Sequence, residues 1–226
     1  MSVLVVAAHP DDEVLGCGGT VARLADQGER VYIAILGEGV TSRYESREEV
    51  AQAELSALQG KARTAAEILG ASDLFMYDFP DNQFDSIPLI SLIKSVEDLI
   101  RRLAPKTIFT HFHGDLNVDH TQTFRAVLTA CRPMAGTCVK ELYSFEIPSS
   151  TEWAFGQMGG AFVPNVFFDV SGYLNRKTAA MQTYESEKRE FPHPRSPESL
   201  TALAQKWGSA SGLAAAESYM TIFSIR

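Results

Sequence analysis

The chain has 226 residues, which is enough for one sizeable hydrophobic core and short of what two would need. With 45% hydrophobic and 21% charged residues it has the composition of a soluble globular protein. A net charge of −8, with no Lys/Arg run to offset it, excludes non-specific nucleic-acid binding.

The chain opens on Val3 to Ala8, a short β-branched-rich run of the kind that forms a buried parallel strand. Leu15 to Gln27 predicts a helix stopped by Gly28, and Arg30 to Leu36 a second strand. From Val50 to Leu69 the apolar residues Leu55, Leu58, Ala62, Ala65 and Leu69 recur at helical spacing, and Gly70 closes the run. Leu74 to Tyr77 predicts a third strand, Ile87 to Leu103 a helix ended by Pro105, Thr107 to Thr110 a fourth strand, and Asp119 to Cys131 another helix. Further on, Leu142 to Ile147 and Val166 to Val170 read as strands, and Leu174 to Glu187 and Pro197 to Gly208 as helices. Trp153 to Pro164, rich in Gly and aromatics, reads as a mobile loop over a site.

Repeated βα units with short joins predict an α/β fold: a Rossmann-like, mostly parallel sheet with helices on both faces, in a single domain spanning residues 1–226. No apolar run reaches the roughly 18–20 residues of a bilayer span. The apolar start, Met1 to Val6, has no basic leader, so a cytoplasmic location is expected. Cys17, Cys131 and Cys138 have neither disulfide-framework nor zinc-ribbon spacing and read as small buried apolar residues.

In an open parallel sheet, ligands sit at the carboxyl ends of the strands. Two such ends here are loaded with metal-binding side chains. The first strand runs into His9-Pro10-Asp11-Asp12-Glu13; the fourth runs into His111-Phe112-His113-Gly114-Asp115-Leu116-Asn117-Val118-Asp119-His120. Four of the chain's five histidines lie in these two segments. His9 and Asp12, three apart on a tight turn, can face one point, and His120 can complete a His-Asp-His set. Three protein ligands leave one position open for water, as catalytic zinc sites do; such an ion acidifies water and polarises a carbonyl. Asp11, beside two ligands without being one, is placed to act as general base. Read alone, an Asp-Asp-Glu run is a solvated turn or helix N-terminus. The second His/Asp-rich strand end is what shifts the reading toward chemistry.

Ala8-His9-Pro10-Asp11-Asp12-Glu13 directly after the first strand resembles the PIG-L/LmbE-like family of zinc-dependent N-deacetylases. Thr110 to His120 is similar to that family's second motif, and Phe79-Pro80-Asp81-Asn82 to a loop near its substrate. Tyr184 to Glu187, His193 to Ser196 and Ala216 to Tyr219 look like its C-terminal part. The resemblance implies one zinc ion per chain (or another divalent metal) on His9, Asp12 and His120, Asp11 as base, and a possible homo-oligomer. It implies removal of an N-acetyl group from an amino sugar such as an N-acetylglucosaminyl compound. Several members carry an assisting histidine three residues before the last ligand, where this chain has Asn117. Asparagine cannot act as an acid, though it can hydrogen-bond an oxyanion. His113, His111 or His193 is then a candidate acid, or Asp11 acts in both directions.

Other residues have two readings each. Arg43 grips a substrate phosphate or hydroxyl, or is a surface arginine. Asp81 and Asn82 bind sugar hydroxyls or form a turn; Asp115 contacts substrate or caps a loop; Tyr184 packs. Gly16, Gly18 and Gly19 lack dinucleotide-fingerprint spacing and let a helix pack close to the metal turn. Two alternatives stand beside the deacetylase: a hydrolase of another amide or an O-acetyl ester, and a non-catalytic sugar- or metal-binding protein.

Overall fold

The structure, a computed structural model, describes residues 2–40 and 52–226. Arg43 and the start of the run at Val50 lie outside the described residues. Along the chain the elements are β1 (Ser2–Ala7), α1 (Asp12–Asp26), β2 (Arg30–Gly37), α2 (Gln52–Leu69), β3 (Asp73–Phe79), α3 (Leu89–Leu103), β4 (Thr107–His111) and α4 (Val118–Ala130). They continue with β5 (Glu141–Phe145), β6 (Val166–Asp169), α5 (Leu174–Gln182), α6 (Pro197–Ser211) and β7 (Ala216–Ser224). One seven-stranded sheet has the order β3-β2-β1-β4-β5-β7-β6. Its first five positions are parallel, and β7 runs antiparallel to both its neighbours.

Alternate side chains of a strand face opposite sides, and β1, buried along its whole length, feeds two cores. Val3, Val5 and Ala7 join Ile33, Phe109 and residues of α1, α2 and α5 on one face. Leu4, Val6 and Ala8 join Ile108, Leu142 and residues of α3 and α4 on the other. Strand order reverses between β1 and β4, and it is their carboxyl ends that carry the two His/Asp-rich segments. That is the crevice an open α/β sheet offers a ligand. No helix among the described residues is long and apolar enough to cross a membrane.

The structure departs from the sequence reading at four places. The strand β7 was not anticipated: its first four residues are all buried, but two of them, Glu217 and Ser218, are polar and break the apolar pattern. The run from Leu174 to Glu187 is helical only to Gln182, followed by a short 3-10 turn at Glu185–Glu187. Helix α1 begins at Asp12, three residues before its apolar stripe, and is broken at Cys17 (φ −150°, ψ 21°). The groups freed by that break are met from far away. The Glu217 carboxylate accepts from the Gly19 and Thr20 amides at 2.9 and 2.7 Å, and Lys177 Nζ donates to the Leu15 carbonyl at 2.8 Å and to Glu217 at 2.6 Å. Fourth, the expected loop at Trp153 to Pro164 starts as a 3-10 turn, Glu152–Ala154. Thr151 anchors that turn, accepting from the Ile147 amide at 2.8 Å.

Candidate active site

The turn after β1 puts consecutive carboxylates in different places. Asp11 has φ 110°, a left-handed conformation that costs a non-glycine residue about 1–3 kcal/mol and that clusters at functional sites. Its carbonyl accepts from the Val14 and Leu15 amides at 3.0 and 2.9 Å, which starts α1. The result sends Asp11 to one side and Asp12 to the other. Asp12 Oδ2 accepts from the His9 amide at 2.9 Å and lies 3.4 Å from His9 Nδ1 and 3.2 Å from His120 Nε2. The donor atoms of His9, Asp12 and His120 lie within 4.8 Å of one another; Asp12 and His120 are buried and His9 keeps a small exposed edge.

The far nitrogen of each histidine is held by a carboxylate. His9 Nε2 lies 2.9 Å from Asp119 Oδ2, and His120 Nδ1 lies 3.0 Å from Asp115 Oδ1. An ionised carboxylate only accepts, so His9 carries its proton on Nε2 and His120 on Nδ1. The other nitrogens, His9 Nδ1 and His120 Nε2, are thereby turned toward Asp12, and these are the two that would bind an ion in place of a proton. Carboxylate-backed imidazoles of this kind orient and strengthen metal ligands, so the set fits a divalent ion. A second His9-Asp81-Asp119 grouping also brings donor atoms within 4.8 Å. It relies on His9 Nε2, already committed to Asp119, and is better described as part of the support.

Charge follows the same pattern. Burial opposes ionisation of His120, yet Asp12 and Asp115 outweigh it and raise its pKa to about 9. Burial likewise opposes the charge on His9, which Asp119 and Asp12 reverse, raising it. Asp12, despite burial, is driven well down by His120 and His111. His111 is fully buried; burial and the His120 charge lower its pKa, so it is neutral. Its Nε2 accepts from the Ala8 amide at 2.8 Å, and its ring stacks on His120 with centroids 4.0 Å apart. It buttresses His120 and does not line the cavity, with its ring proton on the buried Nδ1.

Asp11 faces a cavity of about 390 Å³ lined by His9, Asp12, Asp81, Asn117, Trp153 and Arg195, among others. Burial raises its pKa well above the usual carboxylate range, against the pull of Arg195, whose Nη1 lies 2.8 Å away. A carboxylate with raised proton affinity is what a base working near neutrality requires. Behind it, Glu13 accepts from the Asp11 amide at 3.0 Å and from the Tyr184 hydroxyl at 2.6 Å; burial pushes its pKa up to about 7. Tyr184, read as packing, is fully buried and also braces this turn.

The remaining candidates divide. Asp81, Asn82 and Asn117 line the cavity. Asn117 Oδ1 caps α4 by accepting from the Asp119 amide at 2.8 Å, and its Nδ2 donates to Asn82 Oδ1 at 2.9 Å. Asp115 is placed behind His120 rather than in the cavity: it is fully buried, and it accepts from Ser150, from Thr151 at 2.6 Å and from the Asn117 amide at 2.9 Å. Those partners and His120 hold its pKa down, to about 2, against burial. His113 and His193 do not line the cavity. His113 Nε2 contacts the Gly159 carbonyl at 3.2 Å, and His193 Nδ1 accepts from the Arg195 amide at 3.1 Å.

Sequence reasoning gave no role to Arg195, Asp119, Glu13 or Trp153. Asp119 was findable as the carboxylate next to the last ligand. Arg195 stood in a segment of family resemblance, but nothing local ties it to Asp11, 184 residues away.

Residues 4–131 match the family model described as PIG-L: GlcNAc-PI de-N-acetylase. An uncharacterized deacetylase of Escherichia coli K12, YaiS, is 29% identical over 81% of this chain and 90% of its own length. The 4-oxalmesaconate hydratase of Pseudomonas putida KT2440 is 31% identical over 80% of this chain and 72% of its own. The diacetylchitobiose deacetylase of Thermococcus kodakarensis is 25% identical over 93% and 79%. The crystal structure of GalB, the 4-carboxy-2-hydroxymuconate hydratase of Pseudomonas putida KT2440, shares the fold, with TM-score 0.77, 24% identity and coverage of 98% of this chain and 96% of that one. Fold, strand-end motifs and family model converge: the chain belongs to the PIG-L family.

Proposed function

We propose that this protein is a metal-dependent deacetylase that hydrolyses the N-acetyl group of an amino sugar. The observation that carries the reading is the convergence of His9, Asp12 and His120 on one point, each histidine backed by a carboxylate, with Asp11 facing the same cavity. Two deacetylases among its relatives support it, one of them named for an amino-sugar substrate. A two-histidine, one-carboxylate donor set suits zinc, which when bound supplies Lewis acidity to a carbonyl and to water.

The chain's own residues account for the rest. Asp11 removes a proton from the water that adds to the carbonyl carbon. Arg195, 2.8 Å from Asp11, holds that carboxylate on the cavity side. The Asn117 amide, which lines the cavity, offers a neutral hydrogen bond to oxygen charge. As the C–N bond breaks, the amine leaves with a proton returned by Asp11, and the acyl group departs as a carboxylic acid. With His113 and His193 outside the cavity, Asp11 acting in both directions is the simplest route.

Acetate release from N-acetylglucosamine conjugates, before and after chelation and metal re-addition, tests the reading. His9→Ala and His120→Ala should lose metal. Asp11→Asn should keep it and lose at least ~100-fold in turnover, the scale of a removed general base. Full metal occupancy in both histidine variants would overturn the assignment. A second reading, addition of water to an unsaturated acid, is favoured by the relative at 31% identity; loss of enoate absorbance without acetate release would select it.

A further inference from the structure

We infer that Trp153 is the platform on which the pyranose ring of the substrate stacks, and so the residue that selects a cyclic sugar over an acyclic acylated amine. This inference rests on the deacetylase reading. Trp153 lines the cavity that holds Asp11 and the His9-Asp12-His120 set, yet 42% of its surface is exposed. A large apolar side chain left open in a cavity of carboxylates and amides calls for an apolar partner. Leu116, the other exposed apolar residue of the lining, is 47% exposed. Asp81, Asn82 and Asn117 supply the polar part. A pyranose has this same division: faces built of C–H groups, and a rim of hydroxyls. The electron-rich indole face attracts polarised C–H groups, and the amides and carboxylates take the hydroxyls.

The ring is fixed in place. It stands nearly perpendicular to His193, with interplanar angle 83° and centroids 5.6 Å apart. The residues leading into it are tied down: Ser149 donates its amide to Glu152 Oε1 at 2.7 Å, and Ser150 and Thr151 donate their hydroxyls to Asp115. Asp115 is the carboxylate that orients His120. The platform and one metal ligand therefore share an anchor, so a ring seated on Trp153 is held at a set distance from the reacting centre.

The chain has two tryptophans, which makes the test direct. Trp207 lies elsewhere, its Nε1 donating to Glu146 at 2.5 Å. Titration with N-acetylglucosamine or glucosamine should change the intrinsic fluorescence of the wild type and of Trp207→Phe, and leave that of Trp153→Phe unchanged. In the metal-loaded enzyme, Trp153→Ala should raise KM for an N-acetylglucosaminide roughly 10-fold with kcat within about 3-fold, the mark of lost ground-state binding, and Trp153→Phe should recover most of it. A wild type whose fluorescence responds to the sugar but which releases no acetate would overturn the deacetylase reading and leave the platform standing. An enzyme that releases acetate while Trp153 is blind to the sugar and KM is unmoved in both variants would overturn the platform.

Discussion

Two glycine-to-alanine substitutions should move stability in opposite directions, although both sit in helices. By propensity alone, alanine in place of a helical glycine stabilises by about 1 kcal/mol. Gly60 lies on the exposed face of α2, and a Cβ added there meets nothing within 4 Å, so Gly60→Ala should follow propensity. Gly16 lies in α1 against Phe145, where an added Cβ would come within 2.7 Å of Cγ and 2.8 Å of Cε2. Comfortable carbon–carbon separations are about 3.5–4.0 Å, so the ring must retreat by about 1 Å. It has nowhere to go: Phe145 is fully buried and packs edge-to-face on His111 at 4.9 Å, which stacks on His120. Overpacking costs about 1–3 kcal/mol, and a ring that must yield by this much in a full core belongs in the upper part of that range, about 2–3 kcal/mol; the net loss after the propensity gain is then about 1–2 kcal/mol, or roughly 2–8 °C in Tm at about 2–4 °C per kcal/mol. Thermal unfolding of both variants, each with a metal titration, checks this. Gly60→Ala should melt at or above wild type with unchanged affinity; Gly16→Ala should melt lower and bind metal more weakly. A Gly16→Ala protein as stable as wild type would refute the account of close approach.

Asp119→Asn should lower metal affinity about 10–100-fold, measured by calorimetry, because an amide keeps an acceptor for the Phe84 amide (2.8 Å) but can present an N–H where His9 Nε2 needs an acceptor. Unchanged affinity would remove Asp119 from the supporting shell. Acid unfolding should show Asp115: a carboxyl held at about 2 instead of 3.8 contributes about 2 kcal/mol that is fully present above pH ~4 and lost as pH falls toward 2. The stability gap between wild type and Asp115→Asn should shrink across that window, and a constant gap would count against the assignment. Thiol labelling of the native protein at pH 8 should reach Cys138 alone. Cys17 and Cys131 are buried, and burial raises both, Cys131 to about 12. Rapid labelling of all three would contradict the packing.

What was legible in the sequence was whatever is local. The strand-end segments carrying His9, Asp12 and His120 could be read because a strand and its turn are contiguous, and the sheet rule says which end holds the ligand. The glycines of α1 were legible as a close approach, but the approach is to Phe145, Lys177 and Val170 and not to the turn after β1. What was hidden depends on residues far apart in the chain. Asp115 was left between substrate contact and loop cap because its partners, Ser150 and Thr151, come from a loop beyond the next strand. Arg195 reaches Asp11 across 184 positions, and no periodicity encodes that. β7 was missed because Glu217, which satisfies the broken helix, occupies a place where a strand pattern expects an apolar residue.

The break in α1 has a consequence for the order of assembly. Glu217, which caps the second half of that helix, lies 198 positions beyond Gly19, and Lys177, which holds the Leu15 carbonyl, lies 162 positions away. Its strand is an interior one, paired with β5 on one side and β6 on the other. During synthesis the metal turn and the helix behind it emerge early, but the helix lacks its internal cap until β7 has been made and has slotted into the sheet. Contacts of such long sequence separation form late and slowly. The helix behind the turn that carries His9 and Asp12 thus acquires its final shape only when β7 has joined the sheet, so the start of the chain waits on a strand whose Glu217 is made 198 residues after Gly19.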